Sequence, residues 1–223
     1  MRLIRIALDG PSGSGKSTIA KRVAAELGID YIDTGAMYRA VGLSMIRAGI
    51  TCEEEDRLAA LLEEIEIDFD AGKTLVNGED VSGLIRTQEV SKMASDCSAL
   101  GFVRRKMVEA QQKMAGRKSV IMDGRDIGTV VMKDAEYKYF MTASPEERAT
   151  RRFKELQEKG STDTYEKVLA DINQRDYNDT HREVDPLRQA EDAKLLDTTG
   201  MSIEEVTEYI MKEVTEDGSN QTI

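Results

Sequence analysis

GPSGSGKST, residues 10–18, follows the apolar run LIRIAL (3–8) and the single acid Asp9. KSTIAKRVAAELG (16–28) comes next, with Ile19, Val23 and Leu27 at i, i+4, i+8 and Gly28 as a C-terminal stop. A strand thus gives way to a helix through a glycine-rich turn. The spacing Gly10-x-x-x-x-Gly15-Lys16-Ser17 is that of a phosphate-binding Walker A loop, in the strand–loop–helix context the pattern requires. Each residue type has its own reason. Glycines let successive N–H groups turn inward because no Cβ blocks the curl. The helix N-terminus adds its positive end. Lys16 supplies a point charge for β/γ-phosphates, and Ser17 a hydroxyl for Mg²⁺. Gly10, Pro11, Ser12, Gly13, Ser14, Gly15, Lys16, Ser17 and Thr18 are therefore the candidate ATP-phosphate cradle. A dinucleotide-type loop fails on spacing, since Thr18 stands where a glycine-like residue belongs. The loop by itself leaves a switch GTPase, a motor ATPase, an ATP sensor and a small-molecule kinase open.

Composition bounds the rest. The 223 residues suffice for one domain with a sizeable core. With 31 Lys+Arg against 42 Asp+Glu, the net charge is −11. That argues against a nucleic acid polymer or an anionic membrane as partner, while a local arginine cluster can still hold a small anion. Cys52 and Cys97 are the only cysteines and form no C-x-x-C, which fits a reduced, cytoplasmic setting. No apolar run is long enough for a membrane span, and the N-terminus lacks a signal-peptide pattern.

Strand and helix patterns alternate along the chain. Strands are expected at 2–8, 29–33, 119–123, 137–143 and 195–198, and helices at 16–28, 35–49, 164–179 and from 202 on. Residues 87–115 read as two helices broken near Gly101. TCEE (51–54), SPEE (144–147) and SIEE (202–205) are capping boxes. Alternation of this kind predicts an α/β fold, a parallel sheet flanked by helices. IEIDFD (65–70) and TLVNGEDV (74–81), with a hairpin at Asn77-Gly78, interrupt it; an inserted piece is favoured over an edge of the main sheet. EDGSNQTI (216–223) is expected to be a loose tail.

Four further stretches carry chemistry. DTGAMYR (33–39) sets Tyr38 and Arg39 side by side at a helix start, pointing different ways; a core tyrosine beside a surface arginine is the plainer alternative. DGRDIGTVV (123–131) places Arg125 and Asp126 at the C-terminal end of a strand, where open α/β sheets build their sites; a self-compensating surface turn is the alternative. ERATRR (147–152) brings Arg148, Arg151 and Arg152 to one helical face, where like charges repel unless something anionic sits among them. A solvated face offset by Glu147 and Glu155 is also open. In QRDYNDTHR (174–182), Arg175, Asp179 and Arg182 share one stripe if the helix continues, either to hold a sugar-phosphate or as a salt-bridge ladder. His181, the only histidine, reads as incidental.

These motifs, with GEDVSGLIRTQEVS (78–91) and LQEKG (156–160), occur in order from end to end. The chain resembles the cytidylate kinases, the bacterial-type CMP/dCMP kinases of the nucleoside monophosphate kinase family. The resemblance covers nearly all of it but the tail. It implies a single P-loop kinase domain over 1–223, a P-loop NTP hydrolase-like core with a monophosphate-binding insert near 63–98 and a short helical lid near 148–165. Thr34, Tyr38 and Arg39 would line the acceptor pocket, Thr34 keeping the hydroxyl that relatives often place on serine. Ser95, Arg104 and Asp126 would read the cytosine edge; Arg125, with Arg39, would sit near the acceptor phosphate. Arg175 and Asp179 would meet the ribose hydroxyls, Arg182 the phosphates in transit, and Arg148, Arg151 and Arg152 would belong to the lid helix and to ATP. Lys16, Arg125, Arg182 and Arg152 would carry catalysis, with Mg²⁺ held mainly by ATP phosphates and Ser17. The implied reaction is transfer from ATP to CMP or dCMP, by a cytoplasmic monomer acting on small nucleotides. UMP or another small acceptor, and a non-catalytic ATP sensor, are the alternatives.

Overall fold

Ile6, Ala7 and Leu8 are fully buried in β1 (Arg5–Asp9), as a continuous apolar run with helices on both faces of its sheet must be. The structure, a computed structural model, describes residues 3–70, 72–158 and 160–219. They form two units, residues 1–31 with 118–223, and residues 32–117.

The first unit carries the parallel sheet, with strand order β2 (Asp30–Asp33), β6 (Val120–Gly124), β1, β7 (Tyr137–Thr142), β8 (Lys194–Asp197). β1 pairs in parallel with β6, Asp9 opposite Gly124, and with β7, Asp9 opposite Phe140. The chain leaves β1 for β2 on one side, and β6 hands over to β7 on the other. The order reverses at β1, so its C-terminal end is the crevice where ligands bind in such sheets. Helix α1 (Lys16–Leu27) and the closing helix α8 (Ile203–Ser219) pack Ile19, Val23, Val206 and Ile210 on the sheet. α6 (Pro145–Glu158) and α7 (Tyr165–His181) pair over a small apolar cluster, Ala149 with Val168 and Ile172.

The second unit holds α2 (Thr34–Ala48), α3 (Glu55–Glu64), α4 (Gln88–Cys97) and α5 (Gly101–Ala115). Its three strands, β3 (Ile67–Asp70), β4 (Lys73–Val76) and β5 (Glu79–Asp80), form an antiparallel sheet of their own. Asn77 (φ 49°) and Gly78 (φ 82°) make the tight turn between β4 and β5, both in the left-handed region that a type I′ hairpin demands.

Three local expectations need correction. The TCEE box does not start α3. The Thr51 N–H donates to Glu54 Oε2 (2.9 Å), but the Glu54 N–H donates to the Thr51 carbonyl (3.3 Å), closing a separate turn, and the helix begins after Glu54. The closing helix runs to Ser219, into the stretch expected as tail, because an established helix extends at little cost per residue; residues 220–223 lie outside the described residues. α7 ends at His181, and Arg182 (φ −62°, ψ 146°) is extended, so Arg182 is not on the helical stripe of Arg175 and Asp179. SIEE, by contrast, is a complete box: Ser202 N–H donates to Glu205 Oε2 (2.8 Å) and Glu205 N–H to Ser202 Oγ (3.2 Å).

Candidate active site

The glycine loop is tight enough that its sequence has little choice. Gly10 (φ 148°) turns the chain out of β1, and a Cβ there would lie 1.9 Å from the Met141 carbonyl oxygen of β7. Pro11, Ser12 and Gly13 carry the loop to Ser14, whose Oγ donates to the Pro11 carbonyl (3.0 Å). α1 then starts with Gly15 as its cap and no side chain on its first N–H groups. Those donors face outward with the helix dipole behind them, which is what an anion needs. Lys16 is almost fully buried, its Nζ donating to the Pro11 carbonyl (2.7 Å) and Ser14 Oγ (3.1 Å). Burial, then the charge of Arg125, pushes its ammonium below the ordinary lysine range, against the pull of Asp123, Asp9 and Asp179. Thr18 follows on the exposed side of α1.

Two acids at strand ends complete this cradle, and neither is among the candidate residues read from sequence. Ser17 Oγ donates to Asp123 Oδ2 (2.7 Å) and the Tyr31 hydroxyl to Asp123 Oδ1 (2.8 Å). Asp9 accepts the N–H of Ile127 on Oδ1 (2.8 Å) and of Gly128 on Oδ2 (2.7 Å), seating a single π turn, Ile127–Val131, directly after Asp126. The signal was present in both cases: an acid closing an apolar strand run, LIRIAL-Asp9 and SVIM-Asp123.

Burial raises the Asp9 carboxyl from 3.8 to about 6, although both backbone N–H bonds favour its charged form. The folded state then holds the Asp9 proton more tightly than the unfolded chain does. Its contribution to stability is fully present below about pH 4 and is lost as the pH rises through about 6. Asp9→Asn is expected to flatten that part of the melting profile. Thermal melts across the window check it; parallel profiles for the variant and the native protein would refute the assignment.

Beyond the loop lies a line of alternating charge. Arg125 Nε donates to Asp179 Oδ2 (2.6 Å), each side chain about one-fifth exposed. Asp179 in turn lies 4.0 Å from the Arg182 guanidinium, which reaches Asp126 at 3.8 Å and donates to the Asp185 carbonyl from Nε (2.6 Å). Burial alone would raise Asp179, but Arg125, then Arg182 and Arg175, hold its carboxyl below the usual range. Arg125 is raised: burial lowers it, and the charge of Asp179 more than reverses that. Arg175 is exposed on α7.

The three arginines of α6 part company. Arg148 is buried, donating to the carbonyls of Ala143 from Nε and Ser12 from Nη1 (both 2.9 Å), and paired with Asp176 (2.7 Å). Arg151 is half-buried, donating from Nη2 to the Thr198 carbonyl (2.9 Å) and pairing with Glu147; a Cβ on Gly15 would be 3.9 Å from its Nη1. Arg152 is exposed against Glu155 (3.0 Å). The anions that relieve their mutual repulsion are thus Asp176, Glu147 and Glu155 of the protein itself, and Arg148 does not share a solvent face with the other two.

In the second unit, Asp33 organises the start of α2. Its Oδ1 caps the Ala36 N–H (2.8 Å), while its Oδ2 pairs with Arg39 (2.8 Å) and lies 4.0 Å from Arg86. Thr34 is buried at the first position of that helix. Arg104 of α5 is 1 % exposed, donates to the Ser98 carbonyl (3.3 Å) and lies over the Tyr38 ring, 5.7 Å from its centroid. Ser95 is half-buried on α4. The guanidinium thus stacks as a cation on the phenol ring within the packed interior of this unit. Arg86 lies within GLIRTQEVS, a stretch read from sequence for its resemblance alone.

A Walker A loop whose serine is held by an acid on the adjacent strand, at the switch point of a parallel sheet, places the protein among the P-loop kinases. The fold agrees: a gluconokinase from Sinorhizobium meliloti 1021 superposes with a TM-score of 0.52 over the whole of both chains at 13 % identity. An uncharacterized protein from Eubacterium ventriosum does so with 0.55 over 96 % of this chain and 99 % of its own, at 14 % identity. The cytidylate kinase family model matches residues 6–216. A cytidylate kinase of Clostridium perfringens (strain SM101 / Type A) is 50 % identical over 94 % of this chain and 96 % of its own. One from Caldicellulosiruptor saccharolyticus is 51 % identical over 95 % and 96 %. The chain belongs to the cytidylate kinase family. No helix among the described residues is long and apolar enough to cross a membrane.

Proposed function

We infer that the protein phosphorylates CMP and dCMP with ATP, by direct in-line transfer. The observation that carries this reading is the charge line Arg125–Asp179–Arg182–Asp126, close enough to the loop that Arg125 and Asp179 both act on Lys16. A sensor that only bound ATP would need the loop and not the line. The acceptor is itself a phosphate with a second pKa of about 6, so it is mostly dianionic and nucleophilic at neutral pH and no general base is required. The work is to bring two anions into line and neutralise the charge that spreads over the moving group.

The roles follow from the groups present. Gly10 to Thr18 hold the donor phosphates, with Lys16 as the fixed cation. Ser17 and Asp123 offer two adjacent hard oxygen donors, 2.7 Å apart, which fits Mg²⁺ carried largely by ATP. Bound there, Mg²⁺ would neutralise charge on the phosphates. Arg39, Arg125 and Arg182 take the acceptor phosphate and the group in transit; Arg175 and Asp179 take the ribose. Thr34 and Tyr38 line the acceptor pocket, and Ser95, Arg104 and Asp126 take the base, an acid accepting from the cytosine amino group that uracil lacks. The insert near 63–98 belongs to acceptor binding. The region 148–165 acts as the lid whose closure keeps water from the phosphoryl group, with Arg151 and Arg152 on it. The free thiols Cys52 and Cys97 support a reducing, cytoplasmic setting, and every group named comes from one chain, as a monomer allows.

An ADP-release assay across CMP, dCMP, UMP, AMP and shikimate tests this. CMP and dCMP are expected to turn over about a hundredfold or more faster than AMP and shikimate. Equal rates with AMP would refute the substrate.

A further inference from the structure

Arg148 stands apart from the other arginines of α6. Its side chain is 4 % exposed, and a Cβ added to Gly13 would come within 3.2 Å of Arg148 Cβ and 3.3 Å of its carbonyl oxygen. The first turn of α6 therefore lies directly on the glycine loop. From there the guanidinium does two things at once. Nη1 donates to the carbonyl of Ser12 in the loop (2.9 Å) and pairs with Asp176 Oδ2 on α7 (2.7 Å). The other Asp176 oxygen is buried with no hydrogen-bond partner among the described residues, so Arg148 is the group that holds this acid. Asp176 is one helical turn from Asp179, which Arg125 holds, and next to Arg175.

We propose that Arg148 is a positioning residue and not an ATP ligand: with Asp176 it ties α7 to the phosphate loop, setting Arg175 and Asp179 in register with the donor phosphates. This rests on the reading of α7 as acceptor-binding. The physical argument is that a planar guanidinium fixes two acceptors at once, while a half-buried aspartate with one oxygen out of reach of solvent tolerates few positions once its partner is fixed. Displacing α7 by a fraction of an ångström then misaligns the acceptor without touching the loop's own N–H groups.

Arg148→Met, Asp176→Asn and the double variant test this, by thermal unfolding and by kinetics at a temperature where each keeps native circular dichroism. Each single variant is expected to raise KM for CMP about tenfold while KM for ATP changes less than about twofold. The double variant is expected to be no worse than Arg148→Met, because Asp176→Asn removes the half-buried acid left unpaired. A raised KM for ATP in Arg148→Met with native values in Asp176→Asn would make Arg148 a nucleotide ligand and overturn the proposal. So would effects that multiply in the double variant, or melting shifts with unchanged KM for CMP. Should Arg148→Met not fold, Asp176→Asn decides: a raised KM for CMP alone supports the brace, and native constants overturn it. Should the native protein not turn over CMP, the functional reading fails. The melting temperatures then decide the brace by themselves, non-additive shifts supporting it and additive ones overturning it.

Discussion

Lys16→Ala lowers the rate of phosphoryl transfer about a thousandfold, while its melting transition stays within a few degrees of the native protein's. The two halves have separate causes. The ammonium is the fixed cation of the loop, and losing a preorganised charge beside a developing negative charge costs on the order of 3–4 kcal/mol of barrier. The fold loses little, because Lys16 is itself a buried charge whose burial is unfavourable enough to lower its pKa. The acceptors it leaves are also not orphaned: Ser14 Oγ still donates to the Pro11 carbonyl (3.0 Å). The remaining cost is that of the two hydrogen bonds from Nζ to Pro11 and Ser14, about 1 kcal/mol each. A coupled ADP assay beside a circular-dichroism melt checks both halves; a native rate would end the cradle assignment.

The second large effect is expected in Arg125→Met, and it carries a pH signature. Breaking a fully buried ion pair from one side costs about 3–5 kcal/mol, and the roughly one-fifth exposure of Arg125 and Asp179 reduces that to about 2–3. Turnover falls about a hundredfold or more, since a guanidinium aimed at transferring phosphate is lost. In the native protein Asp179 is held below its ordinary range, so its contribution to stability is present above about pH 4 and fades as the pH falls through its lowered value. Without Arg125 the leading influence on Asp179 is burial, which raises it. Arg182 and Arg175 still lower it, but with the largest lowering influence gone its contribution above about pH 4 shrinks. The stability gap between the two proteins is therefore widest at neutral pH and narrows in acid. Denaturant unfolding at several pH values reads this directly; a gap independent of pH would show that Asp179 does not depend on Arg125.

The sequence was most legible where function constrains the backbone. Gly10, Gly13 and Gly15 announce the loop because each takes a positive φ that other residues avoid. The Asn77-Gly78 turn was equally plain. Legibility failed where one side chain's role depends on a distant partner. Arg148, Arg151 and Arg152 look alike in ERATRR, yet one is buried against Ser12 and Asp176, one binds the Thr198 carbonyl and one faces solvent beside Glu155. The stripe of Arg175, Asp179 and Arg182 depends on the helix continuing; it stops one residue before Arg182, which still reaches Asp126 from an extended backbone.

Order and spacing along the chain were thus enough to predict the parallel α/β core and the phosphate loop, because each rests on local backbone preference or on a motif of contiguous residues, while the kinase family was legible only as a resemblance of the whole set of motifs. Only the tertiary structure decided the acids. Asp9 and Asp123 close two different strands, and their partners Gly128, Ser17 and Tyr31 are brought to them by sheet pairing and helix packing. It likewise decided which arginine serves as brace, since a guanidinium's charge is read in sequence but its burial and its partner are properties of the packed chain.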